Sequence, residues 1–104
     1  MSKKKRLTDG KSTSKAAKFE LIHMAGTRCM LCGKDFGSEI TWHHLKPKYA
    51  GGDNSIDNAS LLCSKCQTRI HRYKWGSVEY MQLTEVILEN KQKLTGRRFT
   101  FTFT

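Results

Sequence analysis

Four cysteines arranged as two Cys-x-x-Cys pairs constrain this chain more than any other feature of its sequence. The pairs are Cys29/Cys32 and Cys63/Cys66. Each such turn directs two sulfurs toward one point, so two turns can close a tetrahedral Zn²⁺ site with four thiolates. A site of this kind has no open ligand position, which predicts a structural zinc. Reduced buried cysteines or a thioredoxin-like redox pair are the alternative, which the missing βαβ pattern disfavours.

The size and composition of the chain explain why it needs such a staple. It has 104 residues, 38% of them hydrophobic, and one domain of this size buries only a modest core. No apolar run is long enough to cross a membrane, and no apolar segment follows the basic N-terminus as it does in a secretory signal. We therefore predict a soluble cytoplasmic domain, in which cysteines bind metal more often than they form disulfides.

The charge of the chain is strongly positive. Lys and Arg number 19 and Asp and Glu number 9, for a net charge of +10. This excess predicts a polyanionic partner, and nucleic acid is the first candidate. Residues 1–12 carry five of the cations and are predicted to form a flexible basic arm. The arm either follows a groove of DNA or stays disordered.

The hydrophobic pattern predicts a single α+β domain over residues 13–96, with a central strand, loop, strand and helix flanked by an N-terminal and a C-terminal helix. The tail, residues 97–104, alternates phenylalanine with threonine and is predicted to be strand-like, completing a sheet edge or docking on the core. The predicted helices cover residues 13 or 14 to 25, 64 to about 73, and 77–94, and the predicted strands cover 39–45 and 60–63.

A histidine-rich strand and a glycine-rich loop lie between the cysteine pairs. His43 and His44 are neighbours on the strand and point to opposite faces, so they can have different tasks. Asn58 follows the loop, while Gln67 and His71 are one helical turn apart and share a face. Taken singly, each has a plain structural explanation as a hydrogen-bonded strand residue, a turn former or a solvated helix residue.

Together with the cysteines, this string resembles the HNH (His-Asn-His) endonuclease family, in the branch stapled by zinc between two Cys-x-x-Cys pairs. The match covers about residues 29–75, the motif core. It implies a ββα-metal fold and a metal-dependent DNA endonuclease, typical of phages, mobile elements and their bacterial hosts. It implies that His44 is the general base and that Asn58 holds the loop and orients the base. It also implies a catalytic divalent ion, Mg²⁺, Mn²⁺, Ni²⁺ or Zn²⁺, bound by His43, Gln67 and His71.

The sequence departs from the family at Gln67, where the family most often has histidine. An amide oxygen suits a hard cation but is a weaker ligand than imidazole for a transition metal. Gln67 is thus either a natural amide ligand or a substitution that weakens or inactivates the enzyme. The alternative function is a non-catalytic zinc-containing nucleic-acid-binding module, and a third is a zinc ribbon that acts on RNA or on a protein partner.

Six cations flank the proposed site, and as a group they are predicted to contact the phosphate backbone of DNA. The plain alternative is that each is a solvated surface charge. The six residues are Lys46, Lys48, Lys65, Arg69, Arg72 and Lys74.

Overall fold

A two-stranded antiparallel sheet and the helix that follows it form the centre of the molecule. The computed structural model describes residues 10–103. The two strands pair so that His43 lies opposite Ser60 and His44 lies opposite Ala59. The predicted α+β class is confirmed, with a ββα unit between two longer helices. The elements are α1 (Gly10–Ala25), β1 (Thr41–His44), β2 (Ala59–Leu62), α2 (Ser64–Ile70) and α3 (Val78–Thr95).

The core lies around β2, the more buried of the two strands. All four residues of β2 are buried, whereas His43 is the only buried residue of β1. Helix α1 packs against both β2 and α3, and this packing shields the sheet from water. Leu21, Leu61, Ile70 and Ile87 have no exposed surface, so α1, β2, α2 and α3 share one core. Within residues 10–103, no helix combines the length and hydrophobicity needed to cross a membrane.

Helix boundaries differ from the sequence prediction by more than one residue at two places. Helix α1 begins at Gly10, so residues 10–12 of the expected basic arm are helical, while residues 1–9 lie outside the described part of the chain. Nothing between Gly10 and the predicted start breaks a helix, since the intervening residues are Lys, Ser and Thr. Helix α2 ends at Ile70 rather than near residue 73, and its N-cap residue is Cys63.

The described tail, residues 97–103, contains no strand, and its phenylalanines pack on the domain instead. Phe101 meets Trp75 edge to face with ring centroids 6.4 Å apart, and Phe103 meets Phe101 at 5.3 Å. Alternation places every second side chain on one side of an extended segment. In this tail the phenylalanine side faces the core. Packing on the core therefore accounts for the alternation of phenylalanine and threonine, although the described tail does not pair with a strand.

A buried lysine connects α3 with the turn that leads into β2. Lys91 has no exposed surface, and its Nζ donates to the carbonyl oxygens of Ile56 at 2.7 Å and Asp57 at 3.3 Å. The ring of Phe99 covers the ammonium at 4.1 Å. Burial lowers the pKa of Lys91 from 10.5 to about 8. Helix α3 and the tail therefore hold the 3₁₀ turn Ile56–Asn58.

We expect the Lys91→Met variant to lose a pH dependence of stability that the parent protein has. Because folding lowers the pKa of Lys91, the unfolded chain binds more protons between about pH 8 and about pH 10.5, and stability rises with pH across that window. The full rise is about 3 kcal/mol. Urea unfolding near both ends of the window gives the free energy of unfolding of parent and variant. The rise is the change with pH in the difference between these two free energies. Lys93→Met, an exposed position of α3, is the control, and a pH-independent difference for Lys91→Met would contradict the expectation.

Candidate metal centres and the histidine cleft

The four cysteines converge on one site. The Sγ atoms of Cys29, Cys32, Cys63 and Cys66 all lie within 4.8 Å of one another. Thiolates bound tetrahedrally to zinc at about 2.3 Å are about 3.8 Å apart, so only a small contraction separates these sulfurs from a zinc site. The backbone N–H groups of Leu31 and Cys32 each donate to Cys29 Sγ at 3.4 Å. The cluster fits a structural zinc with four cysteine ligands.

The protonation of the cysteines fits the same role. Burial by itself raises the pKa of Cys29. Backbone N–H groups of Cys32, Cys63 and Leu31 outweigh this effect and lower the pKa of Cys29 to about 7. Burial and the neighbouring thiols raise the pKa of Cys66. Cys29 is thus prepared as a thiolate by the backbone, whereas Cys66 requires the charge of a bound metal to lose its proton.

Hydrogen bonds join the first cysteine turn to the rest of the domain. The N–H of Met30 donates to the carbonyl oxygen of Leu61 at 2.8 Å, and Asn90 Nδ2 donates to the carbonyl oxygen of Met30 at 2.8 Å. The second turn spans the junction of β2 and α2. The cysteine site thus fixes β2, which pairs with the histidine strand β1, and α2, which carries Gln67.

Four of the predicted catalytic and metal-binding residues line one cleft of about 440 Å³. They are His43, His44, Gln67 and His71, which come from β1, from α2 and from the C-cap of α2. The cleft therefore brings together residues up to 28 positions apart in sequence. Its other lining residues are aromatic, basic or proline: Trp42, Pro47, Lys48, Tyr49, Tyr73 and Tyr80.

His43 is a neutral imidazole with an unsatisfied nitrogen. Its side chain is 3% exposed, and its ring centroid lies 5.5 Å from that of His71. Burial and the nearby His71 lower the pKa of His43 to about 3. Within the described part of the chain, its buried Nε2 has no hydrogen-bond partner. An orphaned buried nitrogen is unusual in proteins and fits a metal ligand.

Gln67 turns its amide nitrogen toward β1. Nε2 donates to the carbonyl oxygen of Trp42 at 2.6 Å and to Thr41 Oγ1 at 3.1 Å. With the nitrogen engaged in this way, Oε1 is the amide atom suited to a cation. Together with the imidazoles of His43 and His71, it makes a mixed nitrogen and oxygen donor set, which fits a hard or borderline divalent ion.

Both ring nitrogens of His44 are hydrogen-bonded. Trp42 Nε1 donates to Nδ1 at 3.3 Å, and Nε2 lies 2.8 Å from Oδ1 of Asn54. An indole nitrogen can only donate and an amide oxygen can only accept, so these partners select the neutral tautomer with its proton on Nε2. Asn54, which is 9% exposed, was missed by sequence reasoning. Nothing in the sequence distinguishes it from an ordinary turn asparagine.

Asn58 ties together the two ends of the loop between the strands. Its Oδ1 accepts from the N–H of Lys46 at 2.8 Å, and its Nδ2 donates to the carbonyl oxygens of Lys46 at 3.0 Å and Asp53 at 2.9 Å. Gly52 packs closely against the Asn58 side chain: a Cβ at position 52 would lie 2.9 Å from Asn58 Nδ2. These bonds go to the loop backbone, and of the two asparagines it is Asn54 that touches His44.

The six flanking cations spread over more than one surface. Lys48 is exposed and lines the histidine cleft. Lys46 lines a neighbouring depression together with Asn58 and the tail, and Lys65 and Arg72 line a third along α2. Arg69 and Lys74 are exposed. Lys48 is therefore the cation best placed to meet a phosphate at the histidines.

Comparison with known proteins agrees with this geometry. A family model described as HNH endonuclease matches residues 29–73, which contain both cysteine pairs and the four cleft residues named above. The chain is also similar to a protein named Anaredoxin from Nostoc sp. (strain PCC 7120 / SAG 25.82 / UTEX 2576). The two are 32% identical over 56 residues, which cover 54% of this chain and 72% of that protein.

Proposed function

The chain belongs to the HNH endonuclease family, and from this premise we propose that it hydrolyses phosphodiester bonds of DNA with His44 as the general base. One observation carries the proposal: His44 shares a cleft with His43, Gln67 and His71. A base and a set of ion ligands that face one space can act on one phosphate.

His44 would act through Nδ1. The attacking water takes the place of the Trp42 indole there, whose hydrogen bond of 3.3 Å is long and readily exchanged. As the new P–O bond forms, the water proton passes to Nδ1 and the ring becomes an imidazolium. Asn54 Oδ1 holds the Nε2 proton throughout and so fixes the ring plane, which makes Asn54 a positioning residue. The bond to the 3′ oxygen breaks, and that oxygen leaves with the electron pair and is protonated by solvent.

His43, Gln67 and His71 would hold the divalent ion. When bound, such an ion stabilises negative charge on the phosphate and on the departing 3′ oxygen. The low pKa of His43 keeps this imidazole unprotonated and able to bind metal at neutral pH. Exposed Lys48 would hold a non-bridging phosphate oxygen and hence the DNA backbone.

The test is cleavage of supercoiled plasmid by the zinc-loaded chain with Mg²⁺, Mn²⁺ or Ni²⁺. We expect His44→Ala to lower the cleavage rate at least about 100-fold, the usual contribution of a general base. The matched control is His23→Ala, which removes an exposed histidine of α1 and should leave the rate unchanged. If neither the parent chain nor Gln67→His cuts with any of the metals, the nuclease proposal is wrong. Salt-sensitive DNA binding that survives His44→Ala would then identify a non-catalytic module.

A second substitution tests the role of Gln67. We expect Gln67→His to shift the metal preference from Mg²⁺ toward Ni²⁺ or Zn²⁺, because imidazole binds transition metals more strongly than an amide oxygen does. The ratio of cleavage rates in Ni²⁺ and Mg²⁺ should rise about tenfold or more. Thr68→His, at the next and exposed position of α2, controls for an added histidine outside the cleft. An unchanged ratio would show that residue 67 does not touch the ion.

A further inference from the structure

The histidine cleft has an exposed aromatic surface that the hydrolytic chemistry does not use. Tyr49 is 78% exposed and Tyr73 is 37% exposed, and both line the cleft. Two other aromatic residues of the lining are already engaged: Tyr80 is 2% exposed, and Trp42 is hydrogen-bonded to His44. Tyr49 and Tyr73 thus present ring surface to whatever enters the cleft.

Tyr49 is held in place although its ring is exposed. It lies in the 3₁₀ turn Lys48–Ala50, which three backbone bonds close. The N–H groups of Ala50 and Gly52 both donate to the carbonyl oxygen of Pro47 at 2.9 Å, and that of Gly51 donates to the carbonyl oxygen of Lys48 at 3.0 Å. At the far end of the side chain, the hydroxyl accepts from the N–H of Trp75 at 3.4 Å. A ring fixed at both ends loses little conformational freedom when a ligand covers it.

A cation lines the same cleft as this ring. Lys48 precedes Tyr49, is exposed and lines the same cleft. A fixed aromatic face beside a cation matches the two halves of a nucleotide, since the base stacks on the ring and the phosphate pairs with the ammonium. In duplex DNA the bases are already stacked and paired, and their faces are not accessible to a ring on the protein surface.

We infer that the cleft takes single-stranded DNA, with an unpaired base stacked on Tyr49, a second aromatic contact at Tyr73, and the adjoining phosphate at Lys48. The inference rests on the proposed phosphodiester chemistry of the same cleft and specifies its substrate class. Strands with unpaired bases, such as flaps, gaps and melted ends, would reach the histidines more readily than intact duplex.

The experiment measures binding without cleavage. Fluorescence anisotropy compares a labelled single strand of mixed sequence, its matching duplex, and a strand of equal length in which abasic sites replace the bases. The zinc-loaded chain is used at one fixed salt concentration, with no other divalent metal. We expect tighter binding to the single strand than to the duplex. Tyr49→Ala should weaken single-strand binding about 5-fold to 100-fold, the loss typical of one stacked base.

Two controls separate stacking from a general effect. Tyr49→Phe retains the ring and should bind the single strand within about twofold of the parent chain, and Val78→Ala removes an exposed side chain outside the cleft (67% exposed). Tyr49→Ala should leave binding to the abasic strand and to the duplex unchanged. Equal or tighter duplex binding by the parent chain, or an equal loss of affinity for the abasic strand, would overturn the inference. Because no step requires hydrolysis, preserved stacking in a chain that cuts neither plasmid nor the single strand would refute the nuclease proposal alone.

Discussion

Removal of the zinc is expected to unfold the protein, and Cys63→Ser should do the same. The four sulfurs come from two turns on either side of the histidine strand and loop, and they lie within 4.8 Å of one another. Structural zinc sites contribute apparent free energies of about 10–16 kcal/mol in small domains, whereas whole domains are stable by about 5–15 kcal/mol. Loss of the ion therefore removes a stabilisation comparable to the total.

Circular dichroism during thermal unfolding, with and without a strong chelator, measures this effect. Metal analysis of the dialysed protein should give one tightly held zinc per chain. Ser64→Ala, at an exposed position directly after Cys63, is the control. This variant should retain its zinc and show the same thermal transition as the parent protein. A cooperative transition at an unchanged temperature after complete removal of zinc would show that the cysteine cluster is not the staple.

Gly52→Ala is expected to disrupt the loop between the strands. A Cβ at this position would overlap the carbonyl oxygen of Lys46 and lie 2.6 Å from its carbonyl carbon. That oxygen accepts a hydrogen bond from Asn58, so the added methyl group would break the Asn58 hydrogen bonds that close the loop. We expect a loss of about 4 kcal/mol or more, as for other substitutions that break a buried network. Cleavage should fall as well, because Asn54, which holds His44, belongs to this loop.

The neighbouring glycine provides a matched control. Gly51 has φ of +97°, and a Cβ there would meet only the end of the Lys46 side chain, at 3.9 Å. Gly51→Ala therefore costs only the strain of a left-handed backbone, about 1–2 kcal/mol. Urea unfolding of both variants compares the two costs. A Gly52→Ala variant no less stable than Gly51→Ala would contradict the steric argument.

The local sequence pattern was sufficient to predict the centre of the fold. Two Cys-x-x-Cys turns in one short chain have few roles other than metal binding, and the predicted cluster of four cysteines is present. Alternation along a strand gives His43 and His44 different environments, and the structure shows one buried and the other half-buried. Gln67 and His71 share a helical face and line one cleft. Their catalytic and metal-binding roles remain predictions.

Features that depend on tertiary packing could not be predicted from the sequence. Asn54 contacts His44 only because Asn58 folds the loop back, and both asparagines have the sequence signature of turn formers. The six cations around the proposed site look alike in the sequence. Packing nevertheless places Lys48 in the cleft and places Lys65 and Arg72 on another face. Lys91 looks like an exposed residue near a helix end, and only the carbonyl groups of a distant turn account for its burial.

Helix α3 limits how far the HNH motif can be separated from this chain. The family match ends at residue 73, but Tyr80 Oη donates to the carbonyl oxygen of Leu45 at 3.1 Å, and Lys91 supports the turn before β2. A graft of the matched segment alone onto another scaffold would lack both supports. The motif in this protein therefore depends on α3, through Tyr80 at the cleft and through Lys91, which holds the turn before β2 from outside the cleft.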